Sequence, residues 1–212
     1  MSSKTSDAPG SKSAVMAVGE GNVGKQISGD PFGESDALVA IQSSLAGIPG
    51  MIPAAKTMSL FGEHAAGWLA ISAVGAVASS GETRNRWIKV GVSAFASHAA
   101  SVLLKRVVRR KRPHDERIAI GVSTPSKLSF PSSHSTSTTA ALVSMANITG
   151  NRATYAGIPA IMLSRLVLGV HYPTDVAAGA TLGWVTSKAV DAAFARAATR
   201  SAGSTSGKTA QK

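Results

Sequence analysis

The 212-residue sequence predicts an all-α fold: an integral membrane bundle of about six helices, five of them spanning. Two observations carry that expectation. Only 16% of the residues are charged against 44% hydrophobic, where soluble domains average roughly 25% charged. Helix-length apolar stretches also recur between residues 35 and 194. The mean hydropathy of +0.13 averages these stretches with polar ends.

Residues 1–34 are mostly Ser, Gly, Lys and Asp, and no apolar run follows a basic start as in a signal peptide, so a disordered tail is expected there. Gly19, Gly21, Gly24 and Lys25 lack the preceding strand and the spacing of a phosphate loop. The folded domain is expected over 35–196. Leu38, Ile41, Leu45 and Ile48 mark one face of a first helix, which Pro49 and Pro53 should end. Whether 35–55 crosses the membrane stays open.

Residues 62–80 and 87–104 are clearer spans, with Trp68 and Trp87 as interfacial anchors. Pro131 opens a Ser/Thr/Ala helix reaching about Ile148, too polar to face lipid and therefore placed inside the bundle. Helices over 154–170 and 174–194 complete the set, with a polar tail over 197–212. Gly67, Gly75, Gly91, Gly157, Gly179 and Gly183 let helix backbones approach closely, the last two at small-xxx-small spacing.

Lys and Arg outnumber Asp and Glu by 22 to 11, a net charge of +11. Such an excess suits nucleic acid, anionic lipid or a phosphorylated ligand. Here it is concentrated between Lys105 and Arg117, with no aromatic interleaved to stack nucleobases, so nucleic acid is not expected. The absence of Cys excludes disulfides and thiolate metal sites.

Three clusters carry chemistry. Lys105 and Arg112 supply fixed positive charge for phosphoryl oxygens. Pro131-Ser132-Ser133-His134 reads as a helix N-terminus, where free N–H groups favour an anion. Arg165 sits mid-helix among apolar residues and needs a partner or a wet cavity. Ser164 and His171 lie seven apart and are expected on one helix face, and Asp175, just past Pro173, can turn back to His171. A carboxylate on one ring nitrogen fixes the tautomer and leaves the other free to attack. No grouping has metal-ligand spacing, so the expectation is a metal-free phosphoryl transfer with no cofactor.

Lys105 with Arg112-Pro113, Pro131-Ser132-Ser133-His134, and Ser164-Arg165 with His171 and Asp175 resemble the three-part signature of the type 2 phosphatidic acid phosphatase family. That resemblance implies a membrane lipid phosphatase. His171 would be the nucleophile forming a phosphohistidine, oriented by Asp175, and His134 the general acid. Lys105, Arg112, Ser132, Ser133 (through its N–H) and Arg165 would hold the phosphoryl group. The family usually has Gly where this chain has Ser133, which raises the question of a left-handed backbone there. Phe61-Gly62-Glu63-His64 together with 105–110 and 164–175 is similar to a mycobacterial-type group in the family, which acts on decaprenylphosphoryl-5-phosphoribose to give a precursor of cell-wall arabinan. Glu63 and His64 are then candidate headgroup residues, with a dipole-stabilising helix start as their ordinary reading.

Other readings remain beside this one. Arg106, Arg109, Arg110 and Lys111 are expected as a basic patch attracted to lipid headgroups. His98 is expected as a buried, hydrogen-bonded histidine and His114 as a solvated one. Alternative substrates are a polyprenyl diphosphate or a phosphatidate-like lipid. Rival classes are a non-catalytic lipid-binding membrane protein and the vanadate-dependent haloperoxidases, which share the anion pocket but are larger and soluble. The expected location is the cell membrane, multi-pass. The Lys and Arg balance reverses according to whether 35–55 crosses, so the face that carries the site stays open.

Overall fold

The computed structural model describes residue 30 and residues 32–209, with side chains described through residue 200. The expected tail, including Gly19 to Lys25, otherwise lies outside the described residues. The helices are α1 (Ser35–Leu45), α2 (Met51–Gly62), α3 (Ala66–Val77), α4 (Gly81–Val108), α5 (Ser133–Thr149), α6 (Gly157–Val167) and α7 (Pro173–Thr209). Short 3₁₀ turns occupy Glu63–Ala65 and Arg152–Ala156. Among the described residues there is no strand, only an isolated bridge between Lys111 and Leu128.

α2 and α3 form one stretch, Met51–Val77. Pro53 does not interrupt it, because it sits in the first turn of α2, where backbone N–H groups have no helical acceptor. The break comes later, where His64 (φ 51°) and Ala65 (φ 60°) adopt left-handed conformations. α7 continues past the expected end at residue 194, through Ala195, Ala197 and Ala198, strong helix formers with no Pro to stop them.

Met51–Val77 and Gly81–Val108 are long and apolar enough to cross a membrane, each with a mean hydropathy of 1.3. Their apolar side chains mostly point outward rather than into the bundle. Val74, Val77, Phe95, Leu103 and Val107 are all exposed, as is Trp184 on α7. A soluble protein rarely leaves so much apolar surface uncovered.

α5 is the central helix, packed between α4 and α7, and almost every residue from Ser135 to Ala146 is buried. Its polarity is absorbed inside the bundle. Trp68 Nε1 donates to Thr138 Oγ1 at 3.0 Å, and Ser144 Oγ meets Ser93 and Ser187 hydroxyls at 3.0 Å each. The small residues do what their spacing predicts: a Cβ at Gly179 would lie 2.6 Å from the Ser132 carbonyl oxygen, so α7 crosses α5 directly at its start. One apolar cluster joins Trp68, Val90, Ala94 and Leu142, and another joins Leu38, Ile118, Leu166, Tyr172 and Val176. The C-termini of α2, α4 and α6 and the N-termini of α5 and α7 meet at one end of the bundle.

Candidate active site

At that end lies a cavity of about 390 Å³ whose wall includes Lys105, Arg112, Ser133, His134, Arg165 and His171. The three sequence clusters are therefore one site. Their approach depends on two chain reversals. α4 stops at Val108 because Arg109 turns left-handed (φ 55°), which swings Arg112 back toward Lys105. α6 stops at Val167, and Gly169 (φ 68°) turns the chain where a Cβ would press on the Ala119 carbonyl. This corrects the expected helix through residue 170: Ser164 and His171 do not share a helix face, and Ser164 Oγ simply donates to Ile161 O at 2.8 Å.

His171 is 1% exposed. Arg112 Nη1 lies 3.2 Å from its Nε2. A guanidinium only donates, so Nε2 must carry the lone pair and Nδ1 the proton. Nδ1 in turn faces Asp175 Oδ2 at 3.6 Å. That is longer than a hydrogen bond, and among the described residues Nδ1 has no other partner. Burial, then the charges of Arg112, Arg165 and Lys105, hold the imidazole well below its usual pKa of 6.5. The ring is thus neutral, with its basic nitrogen beside a cation cluster.

Asp175 is fully buried, and its Oδ2 accepts from Tyr172 N at 2.8 Å. Its Oδ1 accepts from Arg110 Nη1 at 3.0 Å. The patch reading of Arg110 is corrected here: it is 7% exposed and ion-paired inside the protein, because α4 ends two residues before it and the left-handed Arg109 turns it inward. No spacing rule separates it from its basic neighbours, since what distinguishes it is a carboxylate 65 residues away.

Arg112 also donates to Val170 O (2.6 Å) and Ser126 O (2.8 Å), and burial lowers it to about 10, still charged at neutral pH. Lys105 Nζ donates to the carbonyls of Pro131 (2.5 Å), Ser129 (3.1 Å) and Leu128 (3.4 Å). Its protons hold the segment that leads into α5, so it offers the cavity charge rather than a free donor. Ser132 is the N-cap of α5, and the first intrahelical bond is Thr136 N to Ser132 O at 3.0 Å. The N–H groups of Ser133 and His134 precede it and have no helical acceptor. Ser133 has no left-handed backbone, which resolves the question raised by its replacing Gly, and its hydroxyl accepts from Ser101 Oγ at 2.8 Å.

His134 Nε2 donates to Ser59 O at 2.9 Å, and Arg165 Nη1 donates to Ser59 Oγ at 2.6 Å. Ser59, on α2, carried no sequence signal, because a lone Ser in a helix has none. Arg165 is 1% exposed, its Nε is unpartnered, and no carboxylate lies within ion-pairing distance among the described residues. Glu63 and His64 reach the same cavity from the α2–α3 break, with side chains 48% and 66% exposed. His98 also lines it and is only partly buried; among the described residues its Nδ1 has no hydrogen-bond partner, against the expected hydrogen-bonded histidine. His114 is exposed, with Nδ1 3.1 Å from Arg112 O.

An all-helical bundle with a pocket of five cations and four histidines at one end defines a phosphoanion-handling membrane-type protein. Residues 86–197 match the model of the PAP2 superfamily, and the chain belongs to that family. It is 55% identical over 153 residues to the decaprenylphosphoryl-5-phosphoribose phosphatase of Mycolicibacterium smegmatis, covering 72% of this chain and 84% of that one. It is 48% identical over 161 residues to the protein of the same name from Mycobacterium tuberculosis, covering 76% and 90%. In fold it is similar to a transmembrane PAP2-type phosphatidylglycerolphosphate phosphatase from Bacillus subtilis, with a TM-score of 0.57, 18% identity and coverage of 76% and 86%.

Proposed function

We propose that the protein is a multi-pass cell-membrane phosphatase that removes the 5-phosphate of decaprenylphosphoryl-5-phosphoribose, a step toward cell-wall arabinan. In this reading α5, α6 and α7 cross alongside Met51–Val77 and α4. The observation that carries it is the convergence of His171, His134, Arg112 and Arg165 on one cavity, in a chain about half identical to two phosphatases of that name.

The chemistry needs no metal. The phosphoryl group rests on the N–H groups at the start of α5, within the Ser132-capped turn, and in the field of Lys105, Arg112 and Arg165. His171 Nε2 attacks phosphorus as the bond to the ribose 5-oxygen breaks. His134, as the imidazolium, gives that oxygen its proton and becomes neutral, exchanging the Ser59 carbonyl for the leaving group. Asp175 stabilises the charge that develops on His171. Water, giving a proton to His134, then attacks the phosphohistidine, the N–P bond breaks, and phosphate leaves.

Glu63 and His64 supply hydrogen-bonding groups for ribose hydroxyls. Lys56 and Arg106, on the same wall, add cations beyond those that grip one phosphoryl group. They suit a substrate whose ribose also carries a phosphodiester. The test is phosphate release by the purified protein from decaprenylphosphoryl-5-phosphoribose, a polyprenyl diphosphate and phosphatidate. The expected kcat/KM is at least about 10-fold higher for the first, and Glu63→Gln narrows that gap. A preference for either other lipid overturns the substrate, and no turnover of any leaves a lipid-binding protein.

A further inference from the structure

Arg110 does not line the cavity, yet it is bonded to the carboxylate that faces His171. It lies behind Asp175, and its two terminal nitrogens divide their bonds between opposite sides. Nη1 donates to Asp175 Oδ1 (3.0 Å) and Thr174 Oγ1 (2.6 Å). Nη2 donates to Glu34 Oε2 at 2.6 Å and lies 3.8 Å from Asp30 Oδ1. Its guanidinium carbon stands 4.1 Å from the centre of the Tyr172 ring.

Glu34 binds the same turn a second time. Its Oε1 accepts from Thr174 N at 2.7 Å and its Oε2 from Thr174 Oγ1 at 2.6 Å. Asp30 holds Glu34 in place by accepting from its N–H at 2.7 Å. The stretch just before α1 therefore clamps the start of α7, which carries Asp175. With Oδ1 on Arg110 and Oδ2 on Tyr172 N, the Asp175 carboxylate cannot rotate, and Oδ2 is left facing His171. A buried carboxylate without such partners would be costly to keep ionised.

We propose that Arg110 is a positioning residue for this hydrolysis: clamped by Glu34 and Asp30, it fixes the Asp175 carboxylate in the orientation that aligns His171. The proposal rests on His171 as nucleophile. Loss of an orienting partner behind a catalytic group typically costs about 10- to 100-fold in rate. Because Arg110 touches no substrate, the loss should fall on kcat.

The experiment measures kcat and KM of the full chain in detergent, with p-nitrophenyl phosphate and with the lipid substrate. Arg110→Gln should lower kcat by about 10- to 100-fold and move KM by less than about threefold. Glu34→Gln keeps an acceptor for Thr174 N but removes the charge that holds Arg110, and should lower kcat by about three- to tenfold. Combined, the two should be worse than Arg110→Gln alone by less than about twofold, since Glu34 acts through Arg110. A rise in KM at constant kcat, or fully additive losses, overturns the proposal. If Arg110→Gln does not fold, an unchanged kcat in Glu34→Gln overturns it instead. Turnover of p-nitrophenyl phosphate without the lipid would sink only the substrate reading, and activity surviving His171→Ala would sink the nucleophile.

Discussion

Replacing Arg165 with Met should separate activity from stability in opposite directions. Arg165 is a cation 1% exposed whose one side-chain hydrogen bond among the described residues is to the neutral Ser59 hydroxyl. A charge about 4 Å from a phosphoryl oxygen, at an effective dielectric of about 20, contributes about 4 kcal/mol of attraction. Losing one oxyanion donor costs roughly 10²- to 10³-fold in kcat. The two estimates agree, since about 4 kcal/mol is close to 10³-fold. Arg165→Met should therefore lower kcat/KM by about 10²- to 10³-fold. The empty protein should not suffer, because an uncompensated buried cation is itself a cost. Tm in detergent should hold or rise, and the upward shift given by vanadate in the parent protein should disappear. A variant within about 10-fold of the parent activity, or one with a much lower Tm, would refute the reasoning.

His134→Ala should cost far more with an alkyl phosphate than with p-nitrophenyl phosphate, whose leaving oxygen needs no proton; equal losses would remove His134 as the acid. The pH profile follows from the depressed His171. A lowered pKa keeps the nucleophile neutral to the acid side of 6.5, so kcat/KM should not begin to fall from protonation of His171 until the pH is well below that value. Arg112→Gln removes one of the charges responsible and should move that limb upward, while a limb that stays near 6.5 in the parent would contradict the buried, cation-flanked setting.

Most of the helices and the three clusters were legible in the sequence because each rests on a local signal: apolar length for α4, a cap for α5, and close motif spacing for Arg165 to Asp175. What was not legible lies in turns and long-range pairs. Arg110 looked like its neighbours until the left-handed turn at Arg109 aimed it at Asp175, and Ser59 acquires a role only because α2 passes His134 and Arg165. α2 (Met51–Gly62) was not expected at all, because Pro49 and Pro53 read as helix enders, whereas Pro53 falls in the first turn of a new helix and is tolerated there. Helical periodicity over 154–170 gave no hint that α6 stops at Val167, because apolar spacing alone does not show that Gly169 takes a left-handed conformation.

The central claim is that His171 carries the phosphoryl group in a reaction that uses no metal. Protein treated with chelator, mixed with radiolabelled phosphomonoester and quenched within milliseconds should hold an acid-labile, alkali-stable label on the peptide containing His171. His171→Ala should hold none and release no phosphate. A label on another residue, or a chelated enzyme that is inactive until Mg²⁺ is restored, would contradict the account.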